Sequence, residues 1–395
     1  MDWPTLNIST GQGEVGDWTL RAVARPPLSH HDPAFVEIFA RTLGLLQRVY
    51  QTEYDVVTLQ GEAVLGLEAA AASLVAPGDR VLNLVSGPYG AWYAGYIRRA
   101  GGEVVELRVP YNEAIDPEDV RRALRADPRI KYLSVVHVET PSGTVNPVRE
   151  IGRVAREHGV LTIVDTVSGL GGTLLSPEEW GIDVAIAAPQ KCLGGLPGLA
   201  LLSVSPAAWA AMERRPAPLR GSYLSLLDWK DAWLAERRFP YTPSVNLVYA
   251  LETTLERALD VGIEQLAARH ALVARACRAG VRALGLRPWP ARDAIAATAV
   301  TAVAVPQGLS DGQVRGHLRA RYGVMMSGAS GDLAGRVLLL GHMGEAAHPA
   351  ALVAALAMLE RTLADLGRPV ALGAGVGAAL AELAGWGAVG DVPRS

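Results

Sequence analysis

Cysteine is scarce in this sequence, which has only Cys192 and Cys277 among its 395 residues. No Cys and His spacing of the kind found in structural metal sites accompanies them. A chain of this length can also bury a core that needs neither disulfides nor metals. We therefore expect reduced thiols, no metal and a cytoplasmic protein.

A large excess of one charge and long apolar runs are missing as well. The net charge is −3, both signs are scattered along the chain, and no basic run suits a phosphate backbone or a membrane surface. No stretch comes near eighteen uninterrupted apolar residues, and Met1–Pro4 lacks a signal-peptide pattern. These absences predict a small-molecule partner rather than nucleic acid or a membrane.

Lysine is nearly absent too, since Lys131, Lys191 and Lys230 are the only lysines among the 37 basic residues. A rare lysine is ordinarily a solvated surface charge. Any chemistry that needs a primary amine nevertheless has just these three candidates.

What the sequence does contain is an alternation of short β-branched runs and amphipathic helical runs between residues 55 and 205. This alternation is typical of a mostly parallel sheet covered by helices, an α/β domain. The predicted strands are Asp55–Leu59, Arg80–Val85, Glu103–Val109, Tyr132–Val138, Leu161–Val164, Asp183–Ala187 and Leu199–Val204. The predicted helices are Leu65–Val75, Tyr89–Ala100, Pro117–Ala126 and Val148–His158.

The flanking segments predict a second, smaller unit. A Pro- and aromatic-rich loop (Pro216–Pro243) leads to one or two long helices over Val248–Leu286. A strand, helix, strand, helix pattern follows over Ala296–Val305, Ser310–Tyr322, Val337–Leu340 and Pro349–Leu366. Because the first fifty residues contain several glycines and prolines, we expect this segment to be irregular. We expect an irregular segment over 1–25, a large domain with its linking helix over 26–270, and a small α+β domain over 271–395.

Two side chains follow predicted strands, where open α/β sheets bind their ligands. Asp165 ends the run Leu161–Val164, although a helix N-cap would account for it equally well. Lys191 lies between the strand Asp183–Ala187 and a glycine-rich loop, where burial would lower its pKa and make it a nucleophile toward an aldehyde. An electron-sink cofactor needs this pair, an amine and an acid near its ring nitrogen.

Several longer segments match a known family. They are Gln60–Glu62, Val64–Ser73, Val109–Pro117, Thr140–Thr144, the stretches around Asp165 and Lys191, Thr242–Val245 and Gly341–Gly344. Over residues 26–380 the chain resembles the class V aminotransferases, the alanine–glyoxylate and serine–pyruvate group, and within it the pyridoxamine–pyruvate aminotransferase branch. The resemblance implies fold type I, with a mostly parallel seven-stranded sheet in the large domain, a small C-terminal α+β domain and a homodimer with shared active sites.

The resemblance also implies the roles of individual residues. Lys191 would form a Schiff base with a vitamin B6 cofactor, and Asp165 would pair with its pyridine nitrogen. Tyr89 matches the aromatic residue that stacks on the ring, with a core tyrosine as the alternative, and Thr140 and Val167 would lie close to the ring. The implied cofactor is pyridoxal 5′-phosphate or unphosphorylated pyridoxal or pyridoxamine.

A first departure from the family lies in its phosphate cradle, whose residues here are Gly61, Glu62, Ala63, Gln190, Phe239 and Thr242. In the family the last two positions come from the neighbouring subunit, and the first of them is a Tyr. A carboxylate such as Glu62, about 4 Å from a phosphate, costs on the order of 4 kcal/mol per charge pair at an effective dielectric near 20. In the pyridoxamine–pyruvate branch a Glu here accompanies the unphosphorylated vitamer, so Glu62 predicts the same preference.

A second departure concerns the substrate. The family's Arg that forks onto the substrate α-carboxylate is replaced by Leu339, and a second Arg of the branch aligns with Ser330. The missing charge-assisted hydrogen bonds are worth about 1.5–3 kcal/mol each. Arg336 and Arg321 are candidate replacements, although an Arg three positions away along a strand points elsewhere. We therefore place Glu62, Leu339 and Arg336 at the substrate site and expect an atypical substrate.

The leading hypothesis is amino-group transfer between small amine and oxo compounds. The main alternative is another reaction of the same chemistry, a lyase, decarboxylase or retro-aldol-type step of a specialised biosynthetic pathway. A B6-binding protein without activity is a third class, which the pairing of Lys191 with Asp165 disfavours because mere binding needs no electron sink.

Overall fold

The computed structural model describes residues 4–389, so the predictions that concern Met1–Trp3 and residues 390–395 lie outside the described residues. Thirteen strands are described. They are β1 (Leu6–Ile8), β2 (Asp55–Gln60), β3 (Arg80–Val85), β4 (Glu103–Arg108), β5 (Ile130–Val136), β6 (Val138–Glu139), β7 (Thr144–Val145), β8 (Leu161–Asp165), β9 (Val184–Ala187), β10 (Leu199–Val204), β11 (Val300–Ala304), β12 (Val324–Gly328) and β13 (Val337–Gly341).

Fourteen α-helices are described within the same range. They are α1 (Asp17–Val23), α2 (Pro33–Tyr50), α3 (Ala63–Leu74), α4 (Pro88–Arg99), α5 (Pro117–Ala126), α6 (Val148–Glu157), α7 (Pro177–Trp180), α8 (Pro206–Glu213), α9 (Leu226–Trp229), α10 (Val245–Val261), α11 (Ile263–Ala283), α12 (Asp311–Tyr322), α13 (Pro349–Asp365) and α14 (Ala374–Glu382).

The larger sheet has seven strands in the order β2-β10-β9-β8-β5-β3-β4. β10 runs antiparallel to both of its neighbours, and the remaining pairings are parallel. All seven predicted strands are confirmed, each within two residues at either end. Their apolar runs are nearly continuous because helices such as α3, α4 and α6 cover the sheet. The predicted fold type I architecture, with a mostly parallel seven-stranded sheet, is confirmed.

The smaller sheet has four strands in the order β1-β12-β13-β11. β1 pairs in parallel with β12, so the N-terminal segment adds a strand to a sheet built from the other end of the chain. The expectation that the first fifty residues are irregular is wrong, because β1, α1 and α2 lie there. A strand of three residues with a distant partner leaves almost no local sequence signal.

Several further elements were not predicted from the sequence, among them β12, α9 and α14. β12 was not predicted, because it follows α12 after a single left-handed residue, Gly323, and carries little alternation. The predicted loop Pro216–Pro243 contains α9 and a π-helical turn over Lys230–Ala235. α14 is rich in alanine and glycine, whose small side chains give no clear helical period.

The apolar core is divided between the two sheets. One cluster of buried side chains fills the large sheet and its helices, and a second packs behind the four-stranded sheet. α11 crosses between them, since Leu266 belongs to the first cluster and Leu272 to the second. This change supports our proposed domain boundary after residue 270. In the described part of the chain, no helix has the length and apolar character to span a membrane.

Candidate active site

Lys191 is buried in the loop that follows β9, with 9% of its surface exposed. Its Nζ donates a 2.6 Å hydrogen bond to the backbone carbonyl of Thr10 in the N-terminal segment. Burial lowers the pKa of Lys191, and nearby groups, Glu62 foremost, oppose that shift. A buried amine with a lowered pKa is a usable nucleophile.

The other two lysines lie in a different kind of environment. Lys131 is exposed and pairs with Asp79 at 2.6 Å, and Lys230 is half-buried and pairs with Glu213 at 2.5 Å. Their amines therefore resemble ordinary surface charges.

Asp165 is the last residue of β8 and is also 9% exposed. Its Oδ1 accepts a 2.9 Å hydrogen bond from the backbone amide of Val167. Burial raises the pKa of Asp165 to about 6, against the lowering effect of the Val167 amide, while Glu62 raises it and Lys191 lowers it. A carboxylate that is ionised at neutral pH in a buried position can hold a protonated ring nitrogen.

A single cavity brings Lys191 and Asp165 together. Its walls come from the first turn of α3, one face of α4 and the ends of β8 and β9. The lining residues are Glu62, Ala63, Val64, Leu67, Tyr89, Trp92, Tyr93, Tyr96, Val138, Asp165, Val167, Ser168 and Lys191. Five predicted cofactor-binding residues besides Lys191 are therefore on the wall, namely Glu62, Ala63, Tyr89, Asp165 and Val167.

Glu62 is the N-cap of α3 and uses both of its carboxylate oxygens. Oε2 accepts a 2.9 Å hydrogen bond from the backbone amide of Val64, and Oε1 accepts one of 2.9 Å from Nε2 of Gln190. The carboxylate thus takes donors at a helix N-terminus, a place that otherwise suits a phosphate. Gly61 precedes it and donates its amide to the carbonyl of Gly198 at 3.0 Å.

Tyr89 is held by a buried carboxylate that the sequence analysis did not single out. Glu139 accepts hydrogen bonds from the backbone amides of Gly90 at 2.7 Å and Tyr89 at 3.2 Å, in the first turn of α4. A Cβ on Gly87 would lie 2.5 Å from this carboxyl group, so the approach needs a glycine. Burial raises the pKa of Glu139 to about 8, although the two amides lower it. The acid thereby anchors the turn that carries Tyr89.

The remaining residues predicted to surround the cofactor lie outside the cavity wall. Thr140 is buried and donates its hydroxyl to Ser168 Oγ at 2.7 Å, so it supports a lining residue. The carbonyl of Thr242 accepts a 2.6 Å hydrogen bond from Gln60 of the same chain, just before Gly61. Phe239 packs at 5.0 Å from the Phe39 ring in an aromatic cluster.

The candidate substrate residues Leu339 and Arg336 are not on the wall either. Leu339 is buried in β13 and belongs to an apolar cluster that includes Val138, which does line the cavity. Arg336 is exposed, lies over the Trp289 ring at 5.3 Å and borders a different cavity of about 460 Å³. The structure does not bring Arg336 to Lys191, and among the described lining residues Lys191 is the sole basic one.

The sequence analysis missed the aromatic face of α4 and the backbone of Thr10. Trp92, Tyr93 and Tyr96 follow Tyr89 at helical spacing and line the same cavity. That spacing was visible in the sequence, but an aromatic stripe is ordinarily core. The contact of Thr10 with Lys191 joins opposite parts of the chain and has no local signal.

The donor set fits the vitamin B6 group that the resemblance implies. An amine, a buried carboxylate and an aromatic side chain, Tyr89, share one wall, as an aldehyde, a ring nitrogen and a ring face require. The phosphate cradle differs from the family pattern, because the Glu62 carboxylate already accepts a hydrogen bond from the side-chain amide of Gln190.

Comparisons with known proteins agree with this geometry. The aminotransferase class-V family model matches residues 25–340. The chain is 43% identical over 380 residues to the pyridoxamine–pyruvate transaminase of Mesorhizobium japonicum, covering 96% of this chain and 97% of that one. The crystal structure of pyridoxamine–pyruvate aminotransferase from Mesorhizobium loti superposes with a TM-score of 0.94 at 42% identity, over 97% of both chains. Ureidoglycine–glyoxylate aminotransferase from Bacillus subtilis gives 0.93 at 30% identity, over 97% and 98%.

Proposed function

The chain belongs to the class V aminotransferases, and we propose that it transfers an amino group with unphosphorylated pyridoxal or pyridoxamine and a substrate without the usual α-carboxylate anchor. It is a transaminase whose cofactor is of the vitamin B6 kind. The proposal adds two finer points, the absence of a phosphate and the class of substrate. Each depends on one departure from the family pattern.

Lys191 and Asp165 carry the chemistry in this proposal. When bound, a B6 cofactor would supply an aldehyde that reacts with amines and a ring that withdraws electrons. Nζ of Lys191, with a pKa lowered by burial, serves as the amine and then accepts and returns a proton. The carbonyl of Thr10 holds this Nζ whenever the side chain is free. Asp165 keeps the proton on the ring nitrogen.

The hydrogen bonds of Glu62 are the observation that carries the proposal for the vitamer. A phosphate at the N-terminus of α3 would need the Val64 amide and the Gln190 side chain, and Glu62 already binds both at 2.9 Å. A neutral 5′-hydroxyl can instead donate to the Glu62 carboxylate and add no charge. In this proposal the Glu62 carboxylate supplies, at the N-terminus of α3, the negative charge that the cofactor phosphate supplies in the family.

The proposal for the substrate depends on Leu339 and the lining of the cavity. Among the lining residues that the structure describes, Lys191 is the sole cation, and it is committed to the cofactor. A carboxylate brought into this cavity would lack a fork of donors, which costs far more than an alkyl or hydroxyl group in the same place. An amine without an α-carboxylate, or with its acid group elsewhere, fits better.

We also propose a homodimer in the cytoplasm. In the family the segment Phe239–Thr242 completes the site of the neighbouring subunit, and here Thr242 is exposed beside Gln60. Cys192 and Cys277 are both free and buried, which supports a reducing compartment.

An amine panel tests the proposed function. Purified protein would be loaded with pyridoxal or with pyridoxal phosphate and mixed with alanine, glutamate or simple amines, and the loss of the aldehyde would be followed by absorbance. We expect conversion with pyridoxal and an amine, and slow conversion with alanine. A product formed from the amine by loss of carbon dioxide or of a carbon fragment would identify a decarboxylase or lyase instead. Rapid conversion of alanine with pyridoxal phosphate would contradict the proposal.

A further inference from the structure

The buried hydroxyl group of Tyr93 has no hydrogen-bond partner among the described residues. The residue is 5% exposed, and no described residue forms a hydrogen bond with its Oη. Buried hydroxyl groups are nearly always satisfied by protein or by ordered water, so each exception needs an explanation. Its place in the molecule supplies one, since Tyr93 lines the cavity that contains Lys191 and Asp165.

Tyr93 also borders a second, much smaller cavity beneath the first. This cavity has a volume of about 10 Å³, close to the least that holds one water molecule. Its polar lining includes Asn83, Ser134 and Asp165. Asn83 already donates to the carbonyl of Gly90 at 2.9 Å and accepts from Ser134 at 2.7 Å.

Asp165 also lines this cavity and has one carboxylate oxygen without a donor among the described residues. Val167 donates to Oδ1, and no donor to Oδ2 is found among the described residues. Two residues that border one small cavity therefore carry a donor without an acceptor, Tyr93 Oη, and an acceptor without a donor, Asp165 Oδ2. Direct contact is not formed, so a single bridging molecule is what the two groups require.

We propose that this cavity binds one water molecule that accepts a hydrogen bond from Tyr93 Oη and donates one to Asp165 Oδ2. Ser134 lines the same cavity, and its Oγ can accept a hydrogen bond from the second O–H of the water. The water then has three polar partners, the number that buried waters typically have. Tyr93 is in this view a positioning residue that acts on Asp165 and does not itself touch the reacting atoms.

The expected consequence is electrostatic. A hydrogen bond donated to Oδ2 favours the ionised carboxylate and opposes the effect of burial, which raises the pKa of Asp165. The significance of an ionised Asp165 for the ring nitrogen rests on the proposed function. The titratable groups that face Asp165 from the surrounding elements are Glu62, Tyr89, Tyr93, Tyr96, Glu139 and Lys191.

The test compares Tyr93→Phe with Tyr96→Phe in the ligand-free protein. Tyr96 lines the cavity that contains Lys191, lies one turn after Tyr93 on α4 and serves as a matched control. The carboxyl ¹³C shift of Asp165, assigned through Asp165→Asn, would be followed against pH. We expect Tyr93→Phe to move the Asp165 midpoint to higher pH and Tyr96→Phe to leave it in place. An unchanged midpoint in Tyr93→Phe, or equal shifts in both variants, would overturn the proposal.

Two further measurements separate this inference from the proposed function. A high-resolution crystal structure should show a water within hydrogen-bond distance of Tyr93 Oη and Asp165 Oδ2, and a dry cavity would overturn the inference. Pyridoxine, an alcohol that cannot form a Schiff base with Lys191, should bind with a pH midpoint that follows the Asp165 midpoint in each variant. If Asp165 shifts and pyridoxine binding does not follow, the water bridge stands and the role of Asp165 at the ring nitrogen fails.

Discussion

Replacing Glu62 with glycine should change which form of vitamin B6 the protein prefers. The substitution removes the carboxylate that accepts from Val64 and Gln190, and it frees both donors for another anion. Glycine is itself a fair N-cap residue, so the cost to α3 should be only a few tenths of a kcal/mol. The fold should therefore survive, which thermal unfolding can verify.

The size of the effect follows from the charges. A phosphate that used the freed donors would lie about 4 Å from the carboxylate of Glu62, and repulsion there is on the order of 4 kcal/mol at an effective dielectric near 20. The wild-type side chain can lessen this by turning away, so roughly 2.8 kcal/mol is a fair expectation. That corresponds to about a 100-fold gain in affinity for pyridoxal phosphate relative to pyridoxal.

The assay is a titration of both vitamers into wild type, Glu62→Gly, Glu62→Gln and a control. Glu68→Gln suits the control, because Glu68 lies on the same helix and pairs with Arg99 at 3.3 Å away from the donors. We expect the gain in Glu62→Gly, a smaller one in Glu62→Gln and none in the control. Equal affinity of wild type for the two vitamers, unchanged by Glu62→Gly, would refute the reasoning.

Three other outcomes are expected. Lys191→Ala should lose the visible absorbance that pyridoxal gives on binding and keep its fold, and borohydride labelling should map to Lys191; a label on Lys131 or Lys230 would contradict the assignment. Sedimentation at micromolar concentration should show a dimer, since a fully active monomer is incompatible with a site completed by Phe239–Thr242 of the neighbour. Leu339→Arg should raise turnover of alanine with pyruvate severalfold, whereas Leu339→Met should not, and brisk wild-type turnover of alanine would count against the proposed substrate.

The large sheet could be predicted from sequence because its strands are covered on both faces. Runs such as Leu161–Val164 and Leu199–Val204 are mostly apolar and stand between amphipathic helices, so composition and period agree. β1 and β12 could not be predicted in this way. Both are short, and their pairing joins opposite ends of the chain, so the information lies in a contact and not in either segment.

The residues of the candidate active site also differ in whether the sequence could predict them. Lys191 and Asp165 could be found because each directly follows a strong strand signal, where sheet topology fixes the position of a side chain. Glu139 could not be found, since its role depends on the close approach of Gly87 and on two amides of α4. Burial and hydrogen bonding of that kind are properties of packing, and a sequence pattern does not record them.

Charge in the cavity links the two departures from the family. At neutral pH the described lining contributes two carboxylates, Glu62 and Asp165, and one ammonium or amine, Lys191, so it carries at least one net negative charge. A protonated pyridine ring beside Asp165 offsets one negative charge. A phosphate or a substrate carboxylate would add negative charge with no cation to meet it, and an unpaired buried charge is costly. An arginine at position 339 would supply the positive charge that a carboxylate substrate needs. Because this chain has Leu339 there, the electrostatic balance that favours the 5′-hydroxyl also favours an amine without an acid group beside it.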